Sequence, residues 1–369
     1  MRRKPRPTFA APPPDPFGEH RRAAWRERVQ LLGGQFDFET NSPRLLRIVR
    51  RAYARLPAHK FGDVGPRFRV RLILAPGLRT ASPAVDEPPL VQPLAGGGIL
   101  CGAVGGASFV ALTPQQRSGV IVVARDMLQY PYHIRYELLE FAVYVLAARV
   151  QGLVPLHAAC LGQGGQGVLL MGPSGAGKST VVVHGVLGGL DFLAEDSVLL
   201  KPQGLLATGV ANFVHLRKDS LRFLPGADRA TLLRNSSLIQ RRSGVEKLEI
   251  DLRRPGYRLA PAPLRIRAVL FVSSRSAGRR PLLVPLSTRL MLERLAANQR
   301  YAAQQPGWSA FREQVALLPG HELHRGRDPR AAVEAVRELL AGSQARTRRK
   351  PPQRSTLRPP SGAARARAP

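Results

Sequence analysis

The sequence predicts an α/β chain in which a phosphate-loop domain over 131–342 follows a smaller β-rich region over 25–130, with basic, disordered tails at 1–24 and 343–369. Three observations carry that prediction. An unbroken Gly172-Pro-Ser-Gly-Ala-Gly-Lys178-Ser179 stands between an apolar run and a helical one. From about Phe61 to Val123 short β-branched and alternating runs favour strands, and helix-like segments cover 133–150, 288–297 and 329–340.

The tails come first in the argument because of their charge. The chain carries 56 Lys and Arg against 25 Asp and Glu, a net charge of +31, of which the two tails hold +12. Rich in Pro, Arg and Ala, they have too little apolar content to offset the entropy of ordering. The remaining +19 sits on the body. Only seven of the basic residues are Lys, an Arg bias that accompanies the Ala, Gly and Pro content of a GC-rich coding sequence. The other reading is a footprint for nucleic acid or another polyanion. Aromatics make up 6% and do not interleave with the basic clusters, which argues against a single-strand stacking platform.

Composition excludes other classes. Cys101 and Cys160 have no CxxC or Cys/His spacing, so neither a disulfide framework nor a zinc site is expected, and a reducing, cytoplasmic setting fits. The apolar stretch 141–148 lies between Glu140 and Arg149 and is far shorter than the ~20 residues of a membrane span. The charged start lacks the apolar core of a secretory signal.

Along the body, RFRVRLILA (67–75) alternates, 96–112 holds Gly-punctuated apolar runs, and SGVIVVA (118–124) is a short β-branched run; all read as strands. Over 133–150, Leu138, Phe141, Ala142, Val145 and Leu146 fall at helical spacing and predict one amphipathic helix. The apolar runs 156–161 and 168–171 flank a Gly/Gln turn and predict a β-hairpin. Its LGQGGQ resembles a transporter-ATPase signature, but it precedes the phosphate loop and reads as a turn. A short helix then stops at Gly188-Gly189, and a strand starts near Phe192. Residues 268–273 read as a buried strand, whereas 235–247 shows no period and is expected to be a mobile loop.

The motif GxxxxGK[ST] is complete in Gly172, Pro173, Ser174, Gly175, Ala176, Gly177, Lys178 and Ser179, with Thr180 next. Glycines let successive N–H groups turn toward phosphate oxygens, and the following helix directs its positive end at them. Lys178 can reach β- and γ-phosphates and Ser179 can ligate Mg²⁺, so ATP and Mg²⁺ are the expected cofactors. Glu195 and Asp196 close the next apolar stretch, 17 residues after Lys178. Adjacent acids at a strand end can divide two tasks, one holding Mg²⁺ and the other taking a proton from an attacking hydroxyl.

The segments LHAACLGQGGQGVLLMGPSGAGKST (156–180) and LDFLAEDSVLL (190–200) resemble the catalytic domain of HPr kinase/phosphorylase and related bacterial serine kinases, with weaker similarity to about residue 225. The resemblance implies a fold similar to phosphoenolpyruvate carboxykinase and phosphoryl transfer to a polypeptide serine or threonine. It further implies an active-site His157 on a strand, Glu195 as the proton acceptor and Asp196 beside Mg²⁺. Glu195 stands where the family usually has Asp. The glycine-containing signature of the bifunctional enzymes is not recognisable in 201–220, so a kinase without phosphorylase activity is expected. Relatives of this type accompany peptide-modifying gene clusters, including those of lasso peptides, which makes a ribosomal peptide precursor a candidate acceptor. Arg217 and Lys218 are candidates to neutralise phosphates, and Arg241 and Arg242 to form a lid. His184, His321 and His324 show no metal-ligand spacing. Rival readings are a small-molecule kinase and a nucleotide-binding regulatory protein associated with nucleic acid.

Overall fold

A computed structural model describes residues 23–79, 90–241, 243–279 and 281–348, with side chains given only as far as residue 341. The tail expected over 1–24 lies almost entirely outside the described residues, and so does 349–369. The described residues form a mixed α/β structure with three sheets.

The region before residue 130 is a seven-stranded sheet. Strands β1 (Trp25–Leu31) and β2 (Gly34–Thr40) form a tight hairpin, turned by Leu32 at φ +49° and Gly33 at φ +86°, the paired positive values that a two-residue hairpin turn requires. Helix α1 (Pro43–Tyr53) starts on a proline, whose fixed φ suits the first turn. It buries Leu45, Val49, Ala52 and Tyr53 on one side. Strand β3 (Arg67–Ala75) returns parallel to β2 and shows the in-out alternation read from its sequence. Strands β4 (Val91–Gly96), β5 (Ile99–Val104), β6 (Ser108–Thr113) and β7 (Ser118–Ala124) complete the order β1-β2-β3-β7-β6-β5-β4.

The single helix expected over 133–150 is a composite. A short α2 (Pro131–His133) leads into π-helical turns over Ile134–Leu139 and then α3 (Glu140–Gln151), which stops at Gly152 with φ +61°. Wider π turns place a helix face where α-helical spacing would not, and they frequently mark functional sites. Here they carry the buried Arg135.

The second sheet is built on β10 (Gln166–Met171), whose last five residues are fully buried. It lies between β9 (Ala159–Gln163), antiparallel, and β17 (Leu264–Ser276), parallel. The outer strands are β8 (Val154–Leu156), β11 (Asp191–Ala194), β12 (Val198–Lys201), β13 (Leu206–Gly209), β18 (Leu283–Leu286) and β19 (Gly320–Arg325). Helices α4 (Lys178–Leu187) and α8 (Pro329–Arg348) pack together in one apolar cluster of this sheet. Helices α6 (Thr288–Asn298) and α7 (Trp308–Val315) contribute Met291, Leu295, Phe311 and Val315 to the other. A third sheet joins β14 (Phe213–Leu216), β15 (Ser236–Gln240) and β16 (Glu246–Asp251), with α5 (Gly226–Arg234) beside β15 and β16.

Three expectations are corrected here. The apolar run 156–161 is not one strand: β8 ends at Leu156 and pairs with β12, whereas β9 starts at Ala159 and pairs with β10 and β11. The break has a cause in Gln299, which donates from Nε2 to the His157 carbonyl at 2.9 Å and accepts the His157 N–H at 2.8 Å in place of a ladder partner. The stretch 235–247 does not read out as a loop: β15 pairs antiparallel with β16, and beyond β15 the Arg241 N–H donates to the Val245 carbonyl and the Gly244 N–H to the Arg241 carbonyl, each at 2.9 Å. Helix α8 continues to Arg348, beyond residue 343 where the tail was expected.

Candidate active site

Strand β10 delivers the chain to Gly172, and α4 begins at Lys178, so the six-residue loop between them sits at the end of a buried central strand. Gly172 has φ +144°, and a Cβ there would lie 2.5 Å from the Val272 carbonyl oxygen of the neighbouring strand, so only glycine fits. Gly175 and Gly177, at φ +82° and +108°, turn the loop over. Lys178 folds back, its Nζ donating to the Gly172 carbonyl at 2.6 Å and the Pro173 carbonyl at 3.2 Å. Burial pushes its pKa down, and the carboxylates of Asp196 and Glu195 oppose that shift. Ser174, Gly175, Ala176, Gly177, Lys178, Ser179 and Thr180 all line a cavity of about 760 Å³. Arg217, Arg222, Arg241, Lys247, Arg325 and Arg327 line it as well and outnumber its acids, Glu195, Asp196, Asp219 and Asp328, so its walls carry a net positive charge.

At the end of β11 the two adjacent acids part company. Glu195 is buried and both its oxygens are taken: Oε1 accepts the Ser179 hydroxyl at 2.6 Å, while Oε2 accepts the His215 N–H at 2.8 Å and its Nδ1 at 2.9 Å. Burial alone would raise this carboxyl, but the hydrogen bonds from His215 and Ser179 outweigh it and hold the group below the usual carboxylate range. Asp196 is 39% exposed and faces the opening, with His157 Nδ1 3.2 Å from Oδ1 and 3.1 Å from its carbonyl oxygen. His157 therefore lies in an exposed link between two strands, clamped by Gln299, rather than on a strand as the resemblance implied.

Behind Glu195 runs a buried chain of charges that includes no residue singled out from the sequence except Glu195 itself. His215 Nε2 lies 3.3 Å from Glu249, and Glu249 is bound by Arg135 from the π turns and by Arg51 of α1, the latter at 3.1 Å. Burial opposes charge on His215, yet its two glutamate partners raise its pKa, so an imidazolium is favoured. For Glu249 burial is again overcome, by His215 and Arg135, which hold the carboxyl at about 2. A carboxyl depressed on folding stabilises the fold above its unfolded pKa and loses that contribution as pH falls through the folded value. Stability is therefore expected to decline from pH about 4.5 toward 2 as Glu249 takes up a proton. Arg135→Met leaves a buried carboxylate short of its main partner and is expected to cost about 3–5 kcal/mol, read from urea denaturation at neutral pH.

The other sequence candidates divide. Arg217 faces the large cavity, but Lys218 pairs with Glu246 at the surface, 2.8 Å away. Arg241 stands 4.7 Å over the Tyr136 ring and lines the cavity, while Arg242 lies outside the described residues. Among the described residues no group of three or more His, Cys, Asp or Glu is arranged to hold a metal ion. No described helix is long and apolar enough to cross a membrane.

No family model matches the chain, and no curated protein matches it. Among solved structures, it is similar to the HPr(Ser) kinase/phosphatase from Coxiella burnetii, with 12% identity over 52% of this chain and 97% of that one, at a TM-score of 0.24. The chemistry of the site therefore rests on its own residues. The hydroxyl of Ser179 and the carboxylate of Glu195 form the hard-oxygen pair that suits Mg²⁺, and an anionic nucleotide suits the glycine loop, Lys178 and the basic walls.

Proposed function

We propose that the chain transfers the γ-phosphate of ATP to an alcohol hydroxyl with Mg²⁺ as cofactor, through a phosphate loop made by Gly172–Ser179. The observation that carries this reading is the Ser179–Glu195 bond at the edge of a cationic cavity, with a free-facing Asp196 beside it. When bound, Mg²⁺ offsets negative charge on the phosphates and aligns them. Ser179 and Glu195 are the residues to hold it, Glu195 directly or through water. Lys178 exchanges its loop carbonyls for phosphate oxygens, and backbone N–H groups of the loop orient them. Arg217 and Arg241 add positive charge around the transferred group.

We assign the two acids opposite to the roles implied by the resemblance. Glu195 has both oxygens committed and a lowered pKa, which suits a fixed anion at the metal and makes it a weak base. Asp196 is the residue to accept the hydroxyl proton, with His157 orienting its carboxylate. The bond that forms joins the acceptor oxygen to phosphorus, the bond that breaks joins that phosphorus to the oxygen of the leaving ADP, and the proton passes to Asp196 and then to solvent.

The acceptor implied by the resemblance is a serine or threonine of a peptide or protein, with a ribosomal peptide precursor a candidate and phosphorylase activity absent. A small-molecule alcohol is the second reading, favoured by a separate cavity next to Asp196. Labelled ATP offered with candidate peptides and with small alcohols tests both. Radiolabel in an organic ester supports the proposal, and ATP turnover that yields only inorganic phosphate with every acceptor opposes it.

A further inference from the structure

Two cavities meet at the acidic pair. The first holds the phosphate loop and the basic side chains; the second, of about 370 Å³, lies on the other side of Asp196, and the two share His157, Glu195, Asp196 and His215. Their linings differ in kind. The second is walled by the rings of Tyr136, Tyr144, Phe213 and Tyr301, with Arg149 as its exposed basic residue, so it is not built for a second phosphate.

Within it stands the carboxyl of Glu140, at the start of α3. Its ion pair with Arg135 is loose, 3.6 Å from Nε, because the guanidinium is turned to Glu249 and stacked 4.3 Å over Phe213. Burial is the largest influence on Glu140 and raises it to about 7, against the weaker opposing effects of Arg135 and His215. A buried carboxylate left undercompensated by its own protein gains most from a cation brought in by a ligand. Aromatic faces around the same space favour such a cation too. Tyr136, Glu140 and Asp196 line this one cavity, so both carboxyl-bearing residues border the same space.

We propose that this cavity seats the phosphoryl acceptor as a small hydroxyl-bearing amine, its hydroxyl at Asp196, its ammonium at Glu140 and its apolar body among the tyrosines. The proposal rests on the phosphoryl-transfer reading above. The hydroxyl oxygen forms the new bond to the γ-phosphorus of ATP, ADP leaves, and the hydroxyl proton goes to Asp196. The ammonium remains protonated throughout and serves as the handle.

The test uses the full chain loaded with Mg²⁺ and a non-hydrolysable ATP analogue, titrated calorimetrically with L-phenylalaninol and with N-acetyl-L-phenylalaninol. The two probes share ring and hydroxyl and differ in charge. The amine is expected to bind about tenfold or more tightly than the acetylated form. In Glu140→Gln that preference should disappear, and Val145→Trp, which fills the cavity from α3, should abolish binding of both. Equal binding of the two probes to wild type overturns the proposal, as does a preference that survives Glu140→Gln, or no binding of L-phenylalaninol to a chain that binds the nucleotide. Phosphorylation of acetylated serine peptides with undiminished rate in Val145→Trp also overturns it, since such an acceptor bypasses the cavity. Nucleotide affinity, measured in the same titrations, separates this from failure of the phosphoryl-transfer reading: amine binding that depends on Glu140 without nucleotide binding would keep the cavity and remove the kinase. The acetylation comparison on wild type stands even if a variant does not fold.

Discussion

Asp196→Asn is expected to slow single-turnover phosphoryl transfer by about 10²–10⁴, the range for loss of a general base, with little change in Mg²⁺ requirement. The substitution keeps the size of the side chain, which lies 3.2 Å from His157, but replaces the carboxylate proposed to take the acceptor proton with an amide that is a far weaker base. Glu195→Gln should behave differently. It replaces one acceptor oxygen by an NH₂ group, so either the Ser179 hydroxyl or the His215 donors lose their partner, and the Mg²⁺ concentration for half-maximal activity rises. Magnesium titrations of the two variants side by side check the assignment. A metal defect confined to Asp196→Asn would restore the roles that the resemblance implied, and wild-type transfer in both would remove the acidic pair from the mechanism.

Lys178→Ala is expected to abolish measurable turnover and to weaken Mg-ATP binding by about 10- to 10²-fold for each charge-assisted hydrogen bond lost. Its ammonium rests on the Gly172 and Pro173 carbonyls, so removing it also leaves those acceptors bare at the mouth of the loop. Calorimetry with Mg-ATP reads the loss directly. Circular dichroism should be unchanged, because α4 is held by Val182, Val183 and Val186 in the core rather than by the lysine. Unaltered affinity in a folded variant would sink the assignment of the loop.

The loop between β10 and α4 was legible because its glycines fall within a few residues of one another and their positive φ values have a local physical reason. Strands such as β3 and β7 were legible because one face is buried and the alternation survives in the letters. What escaped is what tertiary contact decides. His215 sits on β14 within Phe213–Leu216, an apolar tetrapeptide in which a histidine reads as packing, and only the fold turns its ring between Glu195 and Glu249. Strand β15 was read as part of a loop because, of Ser236–Gln240, only Ile239 is buried, and no alternation marks the strand in the letters. Helix α1 left a legible signal in Pro43 and the spacing of Leu45, Val49 and Ala52, but the many arginines on its outer face, Arg44, Arg47 and Arg51 among them, diluted it. The link at His157 could not be read at all, since the residue that breaks the strand, Gln299, lies 142 positions away.

The most direct measurement of the central claim follows the γ-phosphate itself. Wild-type chain, Mg²⁺ and ATP labelled at the γ-position are mixed with hydroxyl acceptors of both classes, serine peptides and amino alcohols, and the products are resolved by ³¹P NMR. The account predicts an organic phosphate ester formed one for one with ADP, dependent on Mg²⁺ and absent in Asp196→Asn. ATP that binds but is never consumed, or that is split only to ADP and inorganic phosphate whatever the acceptor, would contradict it.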